Sequence, residues 1–272
     1  MDSVIFSVFG IYIFIAVGFA AKLSFKEKID DRTIILLSVY FLQIFLTFWG
    51  LLKRPIDSTL LYAPLMYVVI VLLTLLITFP FVKKLFKDPK ERSIATVAAL
   101  IGNTGNLGGV YFYSRGSFSA RTSLINILKL PILWAAMIAI TLNLGGYEPS
   151  DTVDKTLQMG AYASMVVQLL LFGIYLYDVR IKTLNRMLIA WVGGIKFLLL
   201  PLLAFALLSL VDMDPMVKGI LFLELIMPLA VANVNLGSLY ECRPRDITAL
   251  VFITSILFLG IVFVAMRIVR YF

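Results

Sequence analysis

The chain has 272 residues, of which 61% are apolar and 15% charged, far more apolar surface than a soluble domain of this length needs for its core. Its 24 Lys and Arg outnumber its 16 Asp and Glu, but the basic residues sit mostly in short loops, where they act as topology signals and not as a nucleic-acid surface. With no His and a lone Cys242, the composition argues against a metal cluster, a disulfide framework or a catalytic thiol system.

In chain order, the apolar segments long enough to span a bilayer are 4–22, 33–52, 60–82, 93–113, 122–144, 156–177, 187–210, 216–240 and 247–270. That predicts an all-α polytopic membrane protein with about nine transmembrane helices. Met1-Asp2-Ser3 is acidic and lacks the basic region and cleavage site of a signal peptide, so the first apolar run is expected to persist as a span. The longest polar connection, 145–155, carries Glu148, Asp151 and Asp154. There is no cofactor fingerprint, activated nucleophile or pair of catalytic carboxylates, so neither an enzyme nor a bound cofactor is expected.

The fourth segment is interrupted by Gly102-Asn103-Thr104-Gly105-Asn106-Leu107-Gly108-Gly109. Every backbone polar group must be paired inside hydrocarbon, so such a stretch is tolerated at membrane depth only where protein buries it or it lines a polar cavity. Broken helices near the midplane are how many secondary transporters expose helix ends to a solute. The alternative is close helix packing through glycines; the two amides, Asn103 and Asn106, favour a site.

An internal echo supports this. Asn106-Leu107-Gly108-Gly109-Val110-Tyr111 in the fourth segment is matched by Asn235-Leu236-Gly237-Ser238-Leu239-Tyr240 in the eighth. The same offset lays the first three segments on the fifth, sixth and seventh. The chain therefore divides into a first repeat, 1–121, and a second, 122–272, each with a helix break at the corresponding place. In the second, Pro228 removes a backbone donor and kinks the helix, Gly237 echoes Gly108, and Asn233 and Asn235 bring amides to the freed groups.

The charges raise a difficulty. Lys22, Lys26, Lys28 and Arg32 after the first segment, with Lys83, Lys84, Lys87, Lys90 and Arg92 after the third, place both loops in the cytoplasm. Strict alternation would then put acidic 145–155 inside and basic Arg180, Lys182 and Arg186 outside, against the positive-inside rule. One crossing is missing after the first break.

In Gly102 to Gly108, Lys129-Leu130-Pro131, Phe172-Gly173, the stretch from Lys196 to Pro201, and Met227-Pro228-Leu229-Ala230 with Asn233 and Asn235, the chain resembles the auxin efflux carrier family over nearly its whole length. The resemblance implies a permease of the bile-acid-symporter-like fold, with two inverted five-helix repeats whose broken crossover helices meet at the substrate site. Substrates in that family are organic anions, auxin in plants and malate or other carboxylates in bacteria. Two departures stand out: Val110 occupies a place near which the family usually has Pro, and the fifth helix is absent.

Several polar residues carry two readings each. Glu224, one turn before Pro228, is a candidate proton or cation coupling group or a residue contacting a neighbouring helix or water. Lys196 either attracts an anionic solute or snorkels, and Lys129 snorkels. Gln43 and Gln168 either add polarity to a cavity or bond between helices.

The expected function is a multi-pass cell-membrane carrier moving small organic anions by alternating access. Asn103, Asn106, Asn233 and Asn235 orient the solute, and Gly102, Gly105, Gly108, Pro228 and Gly237 shape the breaks. Coupling to protons or sodium and assembly as a homodimer are open, and no nucleic acid or metal is expected. The competing readings are a transport-incompetent or internally deleted relative, and a sodium-coupled symporter or channel of similar fold.

Overall fold

The computed structural model describes residues 2–53, 55–56, 58–100, 106–180 and 184–272, with side chains from residue 10 on except those of 58–61, 99–100 and 106–107. Among these residues the chain is helical, without a strand. Helix α1 spans Asp2–Phe25, and α2 (Asp31–Leu37) continues through a π turn, Ser38–Leu42, into α3 (Gln43–Leu52). The α2 start is set by Asp30, whose carboxylate accepts from the Thr33 backbone N–H and satisfies one of the free donors of a helix N-terminus. Next come α4 (Ser58–Leu85), α5 (Pro89–Leu100), α6 (Asn106–Arg115), α7 (Ala120–Leu128), α8 (Pro131–Leu144) and α9 (Asp151–Tyr177). Helix α10 (Arg186–Gly194) passes through a π turn, Ile195–Leu199, into α11 (Leu200–Leu210), followed by α12 (Pro215–Ile226), α13 (Ala232–Leu239) and α14 (Pro244–Ile268). Pro131, Pro215 and Pro244 stand in first turns, where a missing N–H costs nothing, and Asp214 caps α12 by accepting from the N–H groups of Met216 and Val217.

Among the described residues, five rods are long and apolar enough to cross a membrane: Asp31–Leu52, Tyr62–Leu85, Asp151–Tyr177, Arg186–Leu210 and Pro244–Tyr271. The pair α7 and α8, bent by 49° between Leu128 and Pro131, makes a sixth. The outward side chains are apolar, with Leu76, Leu210 and Phe263 each more than 70% exposed, as a lipid-facing surface requires. The protein is an all-α polytopic membrane protein. Of the nine expected segments, the other three are α1, 24 residues long, and the two interrupted ones, whose pieces are each too short to cross alone.

The interhelical contacts assign each helix end to one of two faces. At the first face, Phe19 near the end of α1 meets Tyr177 at the end of α9, ring centroids 5.5 Å apart. Asn185, before α10, donates to Glu91 at the start of α5 at 3.1 Å. Arg243, before α14, reaches Glu91 at 2.8 Å and Asp88 and Asp246 at 3.4 Å, while Lys90 donates to the Glu241 carbonyl at 2.7 Å. At the opposite face, Asn143 of α8 donates to the Leu51 carbonyl at 2.6 Å and accepts from the Ile56 N–H at 2.8 Å. Gly219 near the start of α12 lies against Val269 after α14.

The missing crossing is accounted for at the first interruption. Gly116, after α6, lies against Lys90 and Ser93 at the start of α5: a Cβ there would stand 3.3 Å from the Lys90 Cα. Thus α5 and α6 form a hairpin that enters from the first face and returns to it. The segment does not carry the chain across. Its two pieces, 12 and 10 residues, are each about half a bilayer long, and Val110 lacks the ring that would force a sharp bend in a continuous rod. With this segment turned back, α7 and α8 cross in the opposite sense to simple alternation. Loop 145–155 then lies at the far face and Arg180 and Arg186 at the first. Positive-inside charge bias and geometry agree.

Candidate functional site

The second interruption, between α12 and α13, is built by reassigning one hydrogen bond. In a continuous helix the Leu229 N–H would donate to the Leu225 carbonyl, but Pro228 has no N–H and its ring collides with the carbonyl four residues back. The two halves of the severed bond find new partners. The Leu229 N–H donates to Thr254 Oγ1 of α14 at 3.3 Å, and the Leu225 carbonyl accepts from Lys196 Nζ at 3.2 Å. The chain resumes as a tight turn in which the N–H groups of Asn233 and Val234 donate to the carbonyls of Ala230 and Val231, at 3.0 and 2.9 Å.

The two amides that follow differ in their bonding. Asn233 is committed: its Oδ1 accepts from the Tyr113 hydroxyl of α6 at 3.1 Å, and its Nδ2 donates to the Ala230 carbonyl at 3.0 Å. Asn235 is fully buried, and among the described residues neither its Oδ1 nor its Nδ2 has a partner. A buried polar group left unpaired costs about 1–3 kcal/mol, so this amide is a place where a bonding partner would be favourable. Helical spacing puts Asn235 one turn before Ser238, whose hydroxyl bonds the Tyr175 hydroxyl of α9 at 2.6 Å, so the open amide lies on the face of α13 turned toward α9.

Helices α6 and α13, which begin at the two breaks, lie side by side. Gly109 packs against Leu236, Tyr113 reaches Asn233, and Gly116 meets Cys242. Both run toward the first face, so their N-termini, with the partial positive charge of a helix dipole, are neighbours within the bundle. The echoed helices were expected to cross from inverted repeats; instead they are parallel, because the first break folds back.

Lys196 is completely buried in the π turn between α10 and α11, and its ammonium is directed to the broken end of α12. Glu224 is the residue before Leu225, and its Oε1 is buried without a partner among the described residues. The structure thus brings together Pro228, Asn233, Asn235, Glu224 and Lys196 around one break. Gly237 packs against Ile247 of α14 and is part of helix packing. Asn106 opens α6 and Gly108 lies in its first turn, with the Asn106 side chain outside the described set; Gly102, Asn103 and Gly105 fall outside the described residues. Lys129 is exposed at the end of α7, Gln43 is buried in α3, and Gln168 donates to Ser164 within α9.

The sequence reading passed over Tyr113, Tyr175, Ser238 and Thr254. Thr254 had a local signal, a hydroxyl in the apolar run of α14. The two tyrosines had none, since Tyr in a membrane segment is ordinarily an interfacial anchor.

A family model described as a membrane transport protein, the auxin efflux carrier family, matches residues 117–266, more than half of the chain. The chain belongs to that family. No curated protein matches it. The family match begins just after α6 and covers α7 to α13 and most of α14, so it includes the whole of the second break with Lys196, Glu224, Pro228, Asn233 and Asn235. As a member of this family the chain is a membrane transporter.

Proposed function

We propose that this transporter is a secondary carrier that moves small organic anions, carboxylates among them, by alternating access. The observation that carries the reading is the fully buried amide of Asn235, unpartnered among the described residues, in the first half of α13 just after the second break. Aligned N-termini place partial positive charge at one end of the broken helices, which favours a carboxylate. The amide supplies a directional donor and acceptor. Asn233, anchored by Tyr113, positions α6 against α13. Alternating access comes from rocking the broken helices against the panel formed by α1, α3 and α9.

The test is uptake of radiolabelled mono- and dicarboxylates into proteoliposomes. Saturable uptake that falls at least about 10-fold in Asn235→Leu supports the reading. A folded, monodisperse wild-type protein with no saturable uptake of any carboxylate overturns it. That second outcome favours the transport-incompetent reading, for which one observation speaks: the first break turns back instead of crossing, so the two echoed helices do not form an inverted pair.

A further inference from the structure

The amide and dipole chemistry of the proposed site leaves one buried charge unused, the ammonium of Lys196. Helix α12 stops at Ile226, so its last carbonyls lack partners within the helix and form the negative end of a half-helix dipole. In carriers with broken helices, such ends and the unwound carbonyls beside them coordinate the coupling cation. Three observations place a protein group there instead. Lys196 is fully buried, its Nζ is 3.2 Å from the Leu225 carbonyl oxygen, and that oxygen is one of those freed by the break. The residue sits in the π turn Ile195–Leu199, a local widening that recurs at functional sites. Glu224, next to Leu225 in the chain, has one carboxylate oxygen buried and unpartnered among the described residues. A freed carbonyl at a half-helix C-terminus is the kind of donor that holds Na+, and here the positive charge comes attached to the chain.

We infer that Lys196 is a tethered replacement for a coupling cation: its ammonium holds the broken end of α12 where a free Na+ would otherwise be needed, and the carrier works without sodium. The word coupling rests on the carrier reading above, but occupation of the site does not.

The experiment is therefore thermal unfolding of the purified full chain, followed by Trp fluorescence, in about 150 mM sodium, potassium or choline chloride, with carboxylate uptake measured separately. Wild-type protein is expected to unfold at the same temperature in all three. Lys196→Ala and Lys196→Met are expected to unfold earlier in choline and to be raised by sodium by roughly 3 °C, saturably. Adding Glu224→Gln to either variant is expected to remove that response. Sodium stabilisation of the wild type, or neutral variants that fold but ignore sodium, would overturn the inference. If both neutral variants fail to fold while Lys196→Arg folds, a required positive charge is supported; if Lys196→Arg fails as well, the requirement is one of shape and the inference falls. Absence of uptake alongside the expected sodium pattern sinks the carrier reading and leaves the tethered cation standing.

Discussion

Two regions of this membrane protein are assembled by opposite means. Helices α1 and α9 meet backbone to backbone: Gly18 lies on the Leu170 carbonyl and Gly173 on the Ile15 carbonyl, with no room for a Cβ at either. Phe45 of α3 fills the matching gap at Gly160. The broken helices meet through side-chain ends and polar groups, Gly109 against the tip of Leu236, Gly237 against the tip of Ile247, and Tyr113 through its hydroxyl. Backbone contacts cannot give way, whereas side-chain ends can rotate, so the first region is suited to a fixed panel and the second to movement. Among the described residues, buried side-chain atoms without a partner occur beside the second break, at Asn235 and Glu224, and also on the panel side, at Ser38 and Trp49.

The comparison is broken most severely from the panel side. Gly173→Val forces a branched side chain into a backbone carbonyl, and overpacking of this kind costs about 1–3 kcal/mol or more. Size-exclusion profiles and thermal unfolding of this variant are expected to show little folded protein, while Gly109→Ala, whose new methyl meets side chains alone, the Leu236 methyl at 3.0 Å and the Tyr113 ring at 3.7 Å, is expected to fold. If both fold equally well, the contrast between the regions is gone.

A second test separates function from stability. Asn235→Leu is expected to cut carboxylate uptake by at least about 10-fold while leaving the unfolding temperature unchanged or higher, because an unpaired buried amide is removed. A drop in stability together with uptake would mean that Asn235 is bonded after all.

The returning hairpin is checked by thiol labelling in a Cys242→Ser background. Ser117→Cys and Arg186→Cys are expected to label from one side of sealed vesicles and Ser150→Cys from the other. Labelling of Ser117→Cys from the same side as Ser150→Cys would show that α5 and α6 cross.

Two smaller effects sharpen the picture at the contact between α6 and α13. Tyr113→Phe deletes the bond to Asn233 and is expected to lower stability by about 1 kcal/mol, with uptake reduced only a few-fold. Cys242, in the turn after α13, has its thiol pushed up to about 12, chiefly by burial. A raised pKa lowers the thiolate fraction at any given pH, so the maleimide rate of the native protein is expected to keep rising through pH 9 and 10. A plateau near the ordinary thiol value of about 8.5 would indicate an open turn.

Much of this was legible from patterns that do not depend on tertiary context. The apolar runs, the two breaks and the loop charges are local, and the last already signalled that one crossing was lost between Tyr113 and Thr122. Which segment failed to cross was not legible, because 93–113 is long enough as a linear run and only the contact of Gly116 with Lys90 reveals the fold-back. Likewise Asn233 and Asn235 are equivalent on paper, two amides at alternate positions. Burial at different faces of α13 separates them, one tied to Tyr113 and the other open.

The sequence by itself determined that this is a helical membrane protein with Gly- and Pro-interrupted segments and a basic face, since bilayer thickness, backbone satisfaction and charge bias act on every short stretch independently. Only the tertiary structure decided the direction of each segment, the bonding of each amide and the position of Lys196 at the end of α12. Those depend on which residues distant in the chain are brought within about 3 Å, the range over which a hydrogen bond forms.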